Sequence, residues 1–207
     1  MTPSLNFSRL PQAALLAAAL AATTLLGACA PLLVGGAMVG GAMSYTDRRT
    51  SGTQVEDEAI ALKAINRLGT VTTGHVNVTS YNRSVLLTGE VPTEAERLAV
   101  DKTVGQIEHV RATTNELVVG FNSSITARSN DIILSSKVKA GYIDAQDLQS
   151  NAIKVVAERG TIYLMGRVTE REAGRATDLA RRVGGVAKVV RLFEVISEAE
   201  LAQLQPK

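Results

Sequence analysis

Few side chains in this chain of 207 residues belong to the types that nucleophilic, redox or metal chemistry needs. The only thiol is Cys29, and the only imidazoles are His75 and His109. Structural zinc sites usually take four thiolate or imidazole ligands, and a disulfide needs two thiols. The sequence therefore predicts no metal site and no internal disulfide. Neither histidine has a free thiol with which it could pair.

Acidic side chains occur in two similar clusters, and both have a structural explanation. The segments 93–96 (TEAE) and 169–172 (TERE) are typical of capping boxes, in which Thr and Glu satisfy free amides at a helix start. The additional glutamate of each segment lies in the first turn, where the helix dipole favours negative charge. We therefore expect no catalytic residues, no cofactor and no enzymatic activity.

The surroundings of Cys29 indicate a covalent modification. Residues 11–46 carry no charge, and residues 13–26 consist of Ala, Leu and Thr after a start whose one charged side chain is Arg9. This is the pattern of a secretory signal peptide. The tetrapeptide 26–29 (LGAC) resembles the bacterial lipobox, which implies removal of residues 1–28 and acylation of Cys29.

Residues 29–52 are predicted to form a lipidated, flexible tether. Ala30 stands where enterobacterial lipoproteins that stay in the inner membrane carry Asp, which favours a lipid anchor on the periplasmic face of the outer membrane. The sequence VGGAM occurs twice within residues 34–43, and such glycine-rich sequence nucleates helices poorly. Two alternatives stay open, an uncleaved membrane-spanning helix and a helix contact through Gly36 and Gly40.

The rest of the chain contains one module twice. Residues 76–89 (VNVTSYNRSVLLTG) align with residues 153–166 (IKVVAERGTIYLMG) at an offset of 77, which becomes 76 beyond Pro92. A repeat of this length indicates tandem copies of one fold. We place the two domains and a tail at residues 53–122, 128–199 and 200–207.

Each copy shows the order helix, strand, strand, helix, strand. Polar turns at 81–84 and 158–160 predict hairpins, and the final strands cover 113–119 and 189–196. The fold class is therefore α+β, with two helices on one face of a small three-stranded mixed sheet in each domain. The predicted inward residues of the first helices are Val55, Ala59, Leu62 and Ile65, then Leu134, Val138 and Tyr142; those of the second helices are Val100, Val104 and Ile107, then Ala176, Ala180 and Val183.

Gly89 and Gly166 hold equivalent places near the ends of the second strands. A glycine inside a strand often marks the close approach of another backbone segment or a positive φ. We therefore expect a bulkier residue at either position to destabilise its domain.

Both copies resemble the bacterial osmotically inducible and nodulation domain, called BON, over their full length. The resemblance rests on the order of the elements, the Leu-x-Gly-x-Val motifs at 87–91 and 164–168, and Asn-Glu-Leu at 115–117. Further segments resemble a family of lipoproteins with two BON domains that is associated with division and outer-membrane stress. These segments are 46–48 (TDR), 52–55 (GTQV) and 164–173 (LMGRVTEREA).

That resemblance implies a function. Members of the family are periplasmic, are anchored in the outer membrane, bind anionic phospholipid through the first helix of the second domain, and support envelope integrity. The resemblance therefore implies the same location and the same lipid-binding helix for this chain.

The two copies differ in charge. Residues 53–121 hold nine acidic and six basic side chains, a net charge of −3, whereas residues 128–199 hold nine acidic and twelve basic ones, a net charge of +3. An anionic membrane surface attracts each nearby Lys or Arg by about 1 kcal/mol. The second domain is therefore the one predicted to meet anionic headgroups such as phosphatidylglycerol.

The first helix of the second domain adds an apolar element. When its predicted inward residues face the core, two isoleucines point away beside two lysines, an arrangement typical of interfacial insertion. One alternative is that Ile132 or Ile133 packs against the first domain. The family resemblance implies an aromatic residue near Ile133, and the chain has no Trp, which predicts weaker anchoring among headgroups. The candidate lipid-binding residues are Ile132, Ile133, Lys137 and Lys139.

Taken together, these features predict a non-enzymatic lipoprotein whose partner is anionic phospholipid. The alternative is a protein-interaction adaptor whose domains dock an envelope enzyme or an assembly factor. A nucleic-acid ligand is disfavoured because export would separate the protein from it, and because an aromatic content of 3% offers few stacking surfaces.

Overall fold

The computed structural model describes residues 47–204. Cys29, the predicted signal peptide at 1–28, the tether up to residue 46 and residues 205–207 lie outside this part. The described residues belong to one compact unit. Within residues 47–204, no helix combines the length and the apolar composition that crossing a membrane requires.

The first domain has the predicted order of elements. Helix α1 (Ser51–Leu68) is followed by β1 (His75–Tyr81), β2 (Ser84–Val91), helix α2 (Glu94–Gly105), β3 (Ala112–Asn115) and β4 (Val118–Val119). Strand β1 pairs antiparallel with β2, and β2 pairs in parallel with β3 and β4. The sheet is therefore mixed, as the sequence predicts.

The second domain repeats this order. It contains helix α3 (Ile125–Asp144), a 3₁₀ turn (Ser150–Ala152), β5 (Ile153–Glu158), β6 (Thr161–Val168), helix α4 (Glu170–Arg181) and β7 (Lys188–Val195). Strand β6 lies between antiparallel β5 and parallel β7. One more helix, α5 (Glu198–Leu204), follows and buries Leu201, so the segment predicted as a tail begins with ordered structure.

The helices of each domain cover one face of its sheet, which confirms the α+β fold. In the second domain, α3 and α4 contribute their predicted inward residues to a core with Ile162, Leu164 and Val168 of β6. The Tyr142 hydroxyl donates a hydrogen bond of 2.9 Å to the Ala176 carbonyl and so joins the two helices. In the first domain, Val100 and Val104 of α2 are completely buried, as predicted.

The prediction of which side of α1 faces the core is wrong. Val55, Leu62 and Ile65 are exposed, with 61% of Leu62 accessible to solvent. The buried residues of this helix are Asp57, Ile60, Ala64 and Leu68. A charged residue on the buried side was not anticipated, and it decides how the helix is rotated about its axis.

Asp57 turns inward because its carboxylate binds the β1–β2 turn. Its oxygens accept hydrogen bonds from the backbone amides of Asn82 at 2.8 Å and Arg83 at 2.7 Å. Both turn residues have positive φ, the combination of a type I′ hairpin turn, whose amides otherwise lack partners. The α3 helix repeats this contact, since Asp131 accepts from the amides of Arg159 and Gly160, each at 2.9 Å.

The final strand of the first domain is interrupted, whereas the prediction was one strand over residues 113–119. The side-chain oxygen of Asn115 accepts a hydrogen bond from the Leu117 amide at 3.1 Å, which bends the chain between β3 and β4. The bend buries Leu117 in the core of the domain. Strand β7 has no such asparagine and continues through eight residues.

The two capping boxes differ. Thr169 and Glu172 form the complete reciprocal pair at the start of α4. At the start of α2, the Thr93 hydroxyl accepts from the Glu96 amide at 3.2 Å, but the Glu96 carboxylate accepts from the Thr72 hydroxyl at 2.6 Å. Glu96 therefore binds the loop between α1 and β1 and leaves the capping box incomplete.

Gly89 and Gly166 are structural, as predicted. A Cβ atom at Gly89 would collide with the carbonyl of His75 on the paired strand, and Gly89 also has a φ of +111°. A Cβ atom at Gly166 would collide with the Ala152 carbonyl. Each glycine therefore lets the backbone of its hairpin close tightly.

The sheets of the two domains pack against each other through the faces that carry no helices. Four buried side chains form this interdomain seam: Tyr81, Leu86, Tyr163 and Met165. The partly buried Val156, Val190 and Leu192 of the second domain pack against them. Both faces of each sheet are thus covered, which explains why β2 and β6 are buried at nearly every position.

The segment before α1 contacts both domains. Arg48 forms a bidentate ion pair with the buried Glu172 of the second domain, with both N–O distances at 2.7 Å. Arg49 binds Asp57 at 2.7 Å and lies 4.3 Å from the centre of the Tyr81 ring. Residues 48–52, which were predicted to belong to the flexible tether, therefore form ordered structure instead.

Candidate membrane-binding surface

Helix α3 is fixed in its rotation at three points. The Ser124 hydroxyl caps its N-terminus by accepting from the Ala127 amide at 3.2 Å. Asp131 holds the β5–β6 turn, and Leu134, Val138 and Tyr142 pack into the core. These contacts determine which residues of α3 face the solvent.

The outward side of α3 carries an apolar line. Ile125, Ile132 and Ile143 are separated by 7 and 11 residues, close to whole numbers of helical turns, and all three are exposed. We call these three residues the isoleucine line. Ile133 lies about 100° around the helix from Ile132 and is 52% exposed.

The four predicted lipid-binding residues do not share one line. Lys137 is one turn beyond Ile133, and both line a groove of about 380 Å³ beside Arg159, Gly184 and Gly185. Lys139 is two turns beyond Ile132 and lies next to the isoleucine line. The helix therefore presents two neighbouring strips, each with an isoleucine and a lysine, on its exposed half.

The first domain does not bury either isoleucine. Ile132 borders a second groove, of about 350 Å³, together with His75 and Asn77 of the first domain, yet 67% of Ile132 remains exposed. In this structure, packing against the first domain therefore leaves both side chains accessible.

Sequence reasoning missed three exposed apolar residues, two on α3 and one in the linker before it. Phe121, in the linker before α3, is 98% exposed, and Ile125 and Ile143 extend the isoleucine line to both ends of the helix. The spacing of 7 and 11 residues could have revealed Ile125 and Ile143. Phe121 is an aromatic side chain among Gly, Asn and Ser, which was the available clue.

The two histidines lie apart in the first domain. His109 is exposed beside Glu108 at the turn after α2. His75 begins β1 near the interdomain seam, where it forms, with Glu90 and Glu158, the one group of three potential metal ligands found within residues 47–204. The described residues therefore contain no pairing of the two histidines.

Comparison with known proteins agrees with this architecture. The BON domain profile matches residues 56–120 and 130–197. The chain is 34% identical over 185 residues to "Outer membrane lipoprotein DolP" of Haemophilus influenzae, which covers 87% of this chain and 95% of that protein. It is 27% identical over 154 residues to "21 kDa hemolysin" of Actinobacillus pleuropneumoniae, covering 72% and 79% respectively.

Solved structures add little to this comparison. The C-terminal domain of CdsD, a structural protein of the Type III secretion system of Chlamydia trachomatis, aligns over 66% of this chain and 96% of its own length. Its identity is 8% and its TM-score is 0.29, which is too low to support a structural argument.

Two copies of one α+β module, and a relative that matches over most of both chains, define the class of protein. The chain belongs to the BON domain family, as a two-domain lipoprotein of the DolP kind. That relationship supports an association with the outer membrane, and neither relative has the name of an enzyme.

Proposed function

We propose that this protein is a non-enzymatic lipoprotein, anchored through Cys29 on the periplasmic face of the outer membrane, whose second BON domain binds anionic phospholipid. The first contacts are made by α3, through Ile132, Ile133, Lys137 and Lys139. Binding at this helix supports the integrity of the outer membrane.

One observation carries the proposal: α3 exposes isoleucines beside lysines on the more basic domain. Exposed apolar side chains that recur along one helix, unlike those scattered singly, are typical of interaction sites, and Ile132 and Ile133 belong to such a set. Together with Ile125 and Ile143, they place exposed isoleucines from the first turn of the helix to the last. A lipid bilayer is a partner that matches both the apolar line and the positive charge.

The expected strength suits a protein that is already anchored. Two inserted isoleucines contribute roughly 1.5–3 kcal/mol each, and two lysines about 1 kcal/mol each. The loss of orientational freedom on binding offsets part of this sum. Because an acylated Cys29 would hold the domain near the bilayer, a modest affinity gives high occupancy.

The decisive experiment is flotation of the 42–207 fragment with vesicles of phosphatidylglycerol. This fragment contains the compact unit and lacks the lipid anchor, so its flotation reports binding by the folded domains alone. We expect the wild-type fragment to float and Ile133→Asp to stay in the soluble fraction. Lys137→Glu combined with Lys139→Glu should weaken binding, and added salt should weaken the wild type because exposed charges are screened beyond roughly 8 Å.

The matched control is Leu62→Asp on α1. Leu62 is as exposed as the isoleucines, but it lies on the first helix of the acidic domain. We expect Leu62→Asp to float like the wild type. The free energy of unfolding of both Asp variants should lie within about 0.5 kcal/mol of the wild-type value because both sites are exposed. Flotation of Ile133→Asp at the wild-type level would refute the proposed site.

The anchor is tested separately in the full chain. Cys29→Ala removes the thiol that the lipobox provides for acylation, so we expect the protein to be lost from outer-membrane fractions. Recovery of this variant in those fractions at the wild-type level would contradict the anchor.

A protein-interaction adaptor remains the second candidate, and one observation favours it. Val55 and Leu62, seven residues apart on α1, and the neighbouring Ile65 expose a second apolar surface, on the domain with net negative charge. Acidic lipid would repel that domain, which makes a basic protein partner a better match. If the adaptor function is correct, Leu62→Asp abolishes capture of a basic envelope protein, while Ile133→Asp retains it.

A further inference from the structure

Three side chains from both domains meet at the edge of the interdomain seam. His75 begins β1, Glu90 lies near the end of β2, and Glu158 ends β5 of the second domain. One donor atom from each, an imidazole nitrogen of the histidine and one oxygen of each carboxylate, lies within 4.8 Å of the others. Residues that are far apart in the sequence thus form one compact set of donors.

The two carboxylates of this set are buried, the His75 side chain is partly buried, and Arg159 pairs with Glu90. Glu90 is 0% exposed and Glu158 is 6% exposed, so two carboxylates that repel each other lie in a region of low dielectric. The Nδ1 atom of His75 is buried and has no hydrogen-bond partner within residues 47–204. It lies 3.6 Å from Oε2 of Glu90, which is too long for a hydrogen bond.

We propose that His75, Glu90 and Glu158 bind a divalent transition-metal ion, and that Zn²⁺ is the ion that fits best. One imidazole nitrogen and two carboxylate oxygens are common zinc ligands, and a water molecule completes a tetrahedral site. Mg²⁺ and Ca²⁺ prefer oxygen ligands alone, so the imidazole favours zinc over both. The ion balances the two carboxylates and gives the unpaired nitrogen a partner.

The distances allow such a site after a small closure. Donors around a tetrahedral zinc ion lie roughly 3.3 Å apart, since each zinc–ligand bond is about 2.0–2.1 Å. The pair of His75 and Glu90 is already at 3.6 Å. No donor separation exceeds 4.8 Å, so none must shorten by more than about 1.5 Å, which rotation of a glutamate side chain can supply. The 350 Å³ groove lined by His75 and Glu158 gives an ion access from solvent.

Neighbouring groups already orient the carboxylates, as supporting residues do in metal sites. The Asn77 side chain donates to Oε2 of Glu158 at 2.8 Å. The amide and hydroxyl of Ser123 donate to Oε2 of Glu90 at 3.1 and 3.2 Å. Arg159 donates to Oε1 of Glu90 at 3.3 Å, but it is half exposed and can turn to solvent when the ion binds.

The test is a calorimetric titration of the 42–207 fragment with zinc chloride at neutral pH. We expect one zinc ion per chain and a rise in the melting temperature of the zinc-loaded fragment. His75→Gln and Glu158→Gln should each weaken binding by about tenfold or more. His75→Gln removes no hydrogen bond from Nδ1, so its apo form should fold even if Glu158→Gln does not.

Two controls make the result specific. His109→Gln removes the exposed imidazole next to Glu108 and should bind zinc as the wild type does. Magnesium chloride at the same concentration should give no comparable heat. Absence of stoichiometric zinc binding would overturn the proposal, and so would binding that His75→Gln leaves unchanged or that His109→Gln abolishes.

Discussion

The first helices of the two domains, α1 and α3, are alike on the inside and different on the outside. Each begins after a hydroxyl N-cap, and each places an Asp on the hairpin turn in its second turn. At an offset of 74, Ile60, Ala64 and Leu68 correspond to the buried Leu134, Val138 and Tyr142. The outward positions have diverged, since Ile132 and Ile133 occupy the places of Glu58 and Ala59.

This difference separates folding from binding. The inward side of each helix must match one hairpin turn and one sheet, which restricts its residues. The outward side has no such restriction, so the two copies could diverge there: α3 carries Ile132, Ile133 and Lys139 where α1 carries Glu58, Ala59 and Ile65. The contrast predicts that changes on the inward side alter stability and that changes on the outward side alter binding.

The largest effect is expected at the buried aspartates. Asp57→Asn should lower the free energy of unfolding by about 3–5 kcal/mol, because it removes a buried charge that pairs with Arg49 and puts an NH₂ group against turn amides. Asp131→Asn should cost about 1–3 kcal/mol, since no ion pair is recorded for Asp131 within residues 47–204. Chemical denaturation of both variants measures the difference.

Two exposed carboxyl groups serve as controls for this pair. Glu58→Gln on α1 and Asp144→Asn on α3 should change stability by less than about 0.5 kcal/mol. Equal losses for Asp57→Asn and Asp131→Asn would show that Arg49 adds nothing and that the two domains are more alike than the contacts indicate.

Substitution of Gly89 or Gly166 should lower stability less than the loss of Asp57, and by unequal amounts. Gly89→Val should destabilise its domain by about 3 kcal/mol, because it combines a collision at the His75 carbonyl with an unfavourable positive φ. Gly166→Val should cost about 2 kcal/mol, since its strain comes from the Ala152 carbonyl alone. Thermal melting of the two variants tests this, with Gly174→Val at an open position as the control. Wild-type melting of both variants would contradict the prediction.

The segment before α1 should contribute next. Arg48→Ala leaves the Glu172 carboxylate buried without its ion pair, and we expect a loss of about 2 kcal/mol. Arg97→Ala, which breaks the more exposed pair with Glu94, should cost less than about 1 kcal/mol. A fragment that starts at residue 53 also lacks Arg49 and the Thr50 N-cap, so it should lose more stability than Arg48→Ala does. Wild-type melting of Arg48→Ala would disprove the role of Arg48.

Low pH should lower the stability of the first domain because it protonates Asp57. Burial alone would raise the pKa of Asp57, but hydrogen bonds from Ser80, the Arg83 amide, Arg49 and the Asn82 amide outweigh it and hold the pKa below its usual range. A lowered folded-state pKa gives stability that is present above the unfolded value of about 3.9 and is lost as pH falls through the folded value. Between pH 5 and pH 2, roughly, stability should therefore fall less steeply in Asp57→Asn than in the wild type.

The sequence by itself determined the duplicated α+β module, the hairpins, three of the four predicted helix faces and the two structural glycines. These features follow from local rules, because apolar spacing, turn residues and repetition all act within about 70 residues. The prediction for the inward face of α1 was wrong because it used local spacing alone. Val55, Leu62 and Ile65 have helical spacing, and only the contact of Asp57 with a turn 25 residues away shows that they face outward.

Only the tertiary structure decided how distant parts meet. The sequence contained His75, Glu90 and Glu158 but gave no sign that they lie within 4.8 Å, because the third belongs to the other domain. It likewise gave no sign that Arg48 reaches Glu172, 124 residues later. Such contacts depend on the packing of one sheet on another, which is set by the combined shape of both faces and by no local pattern of residues.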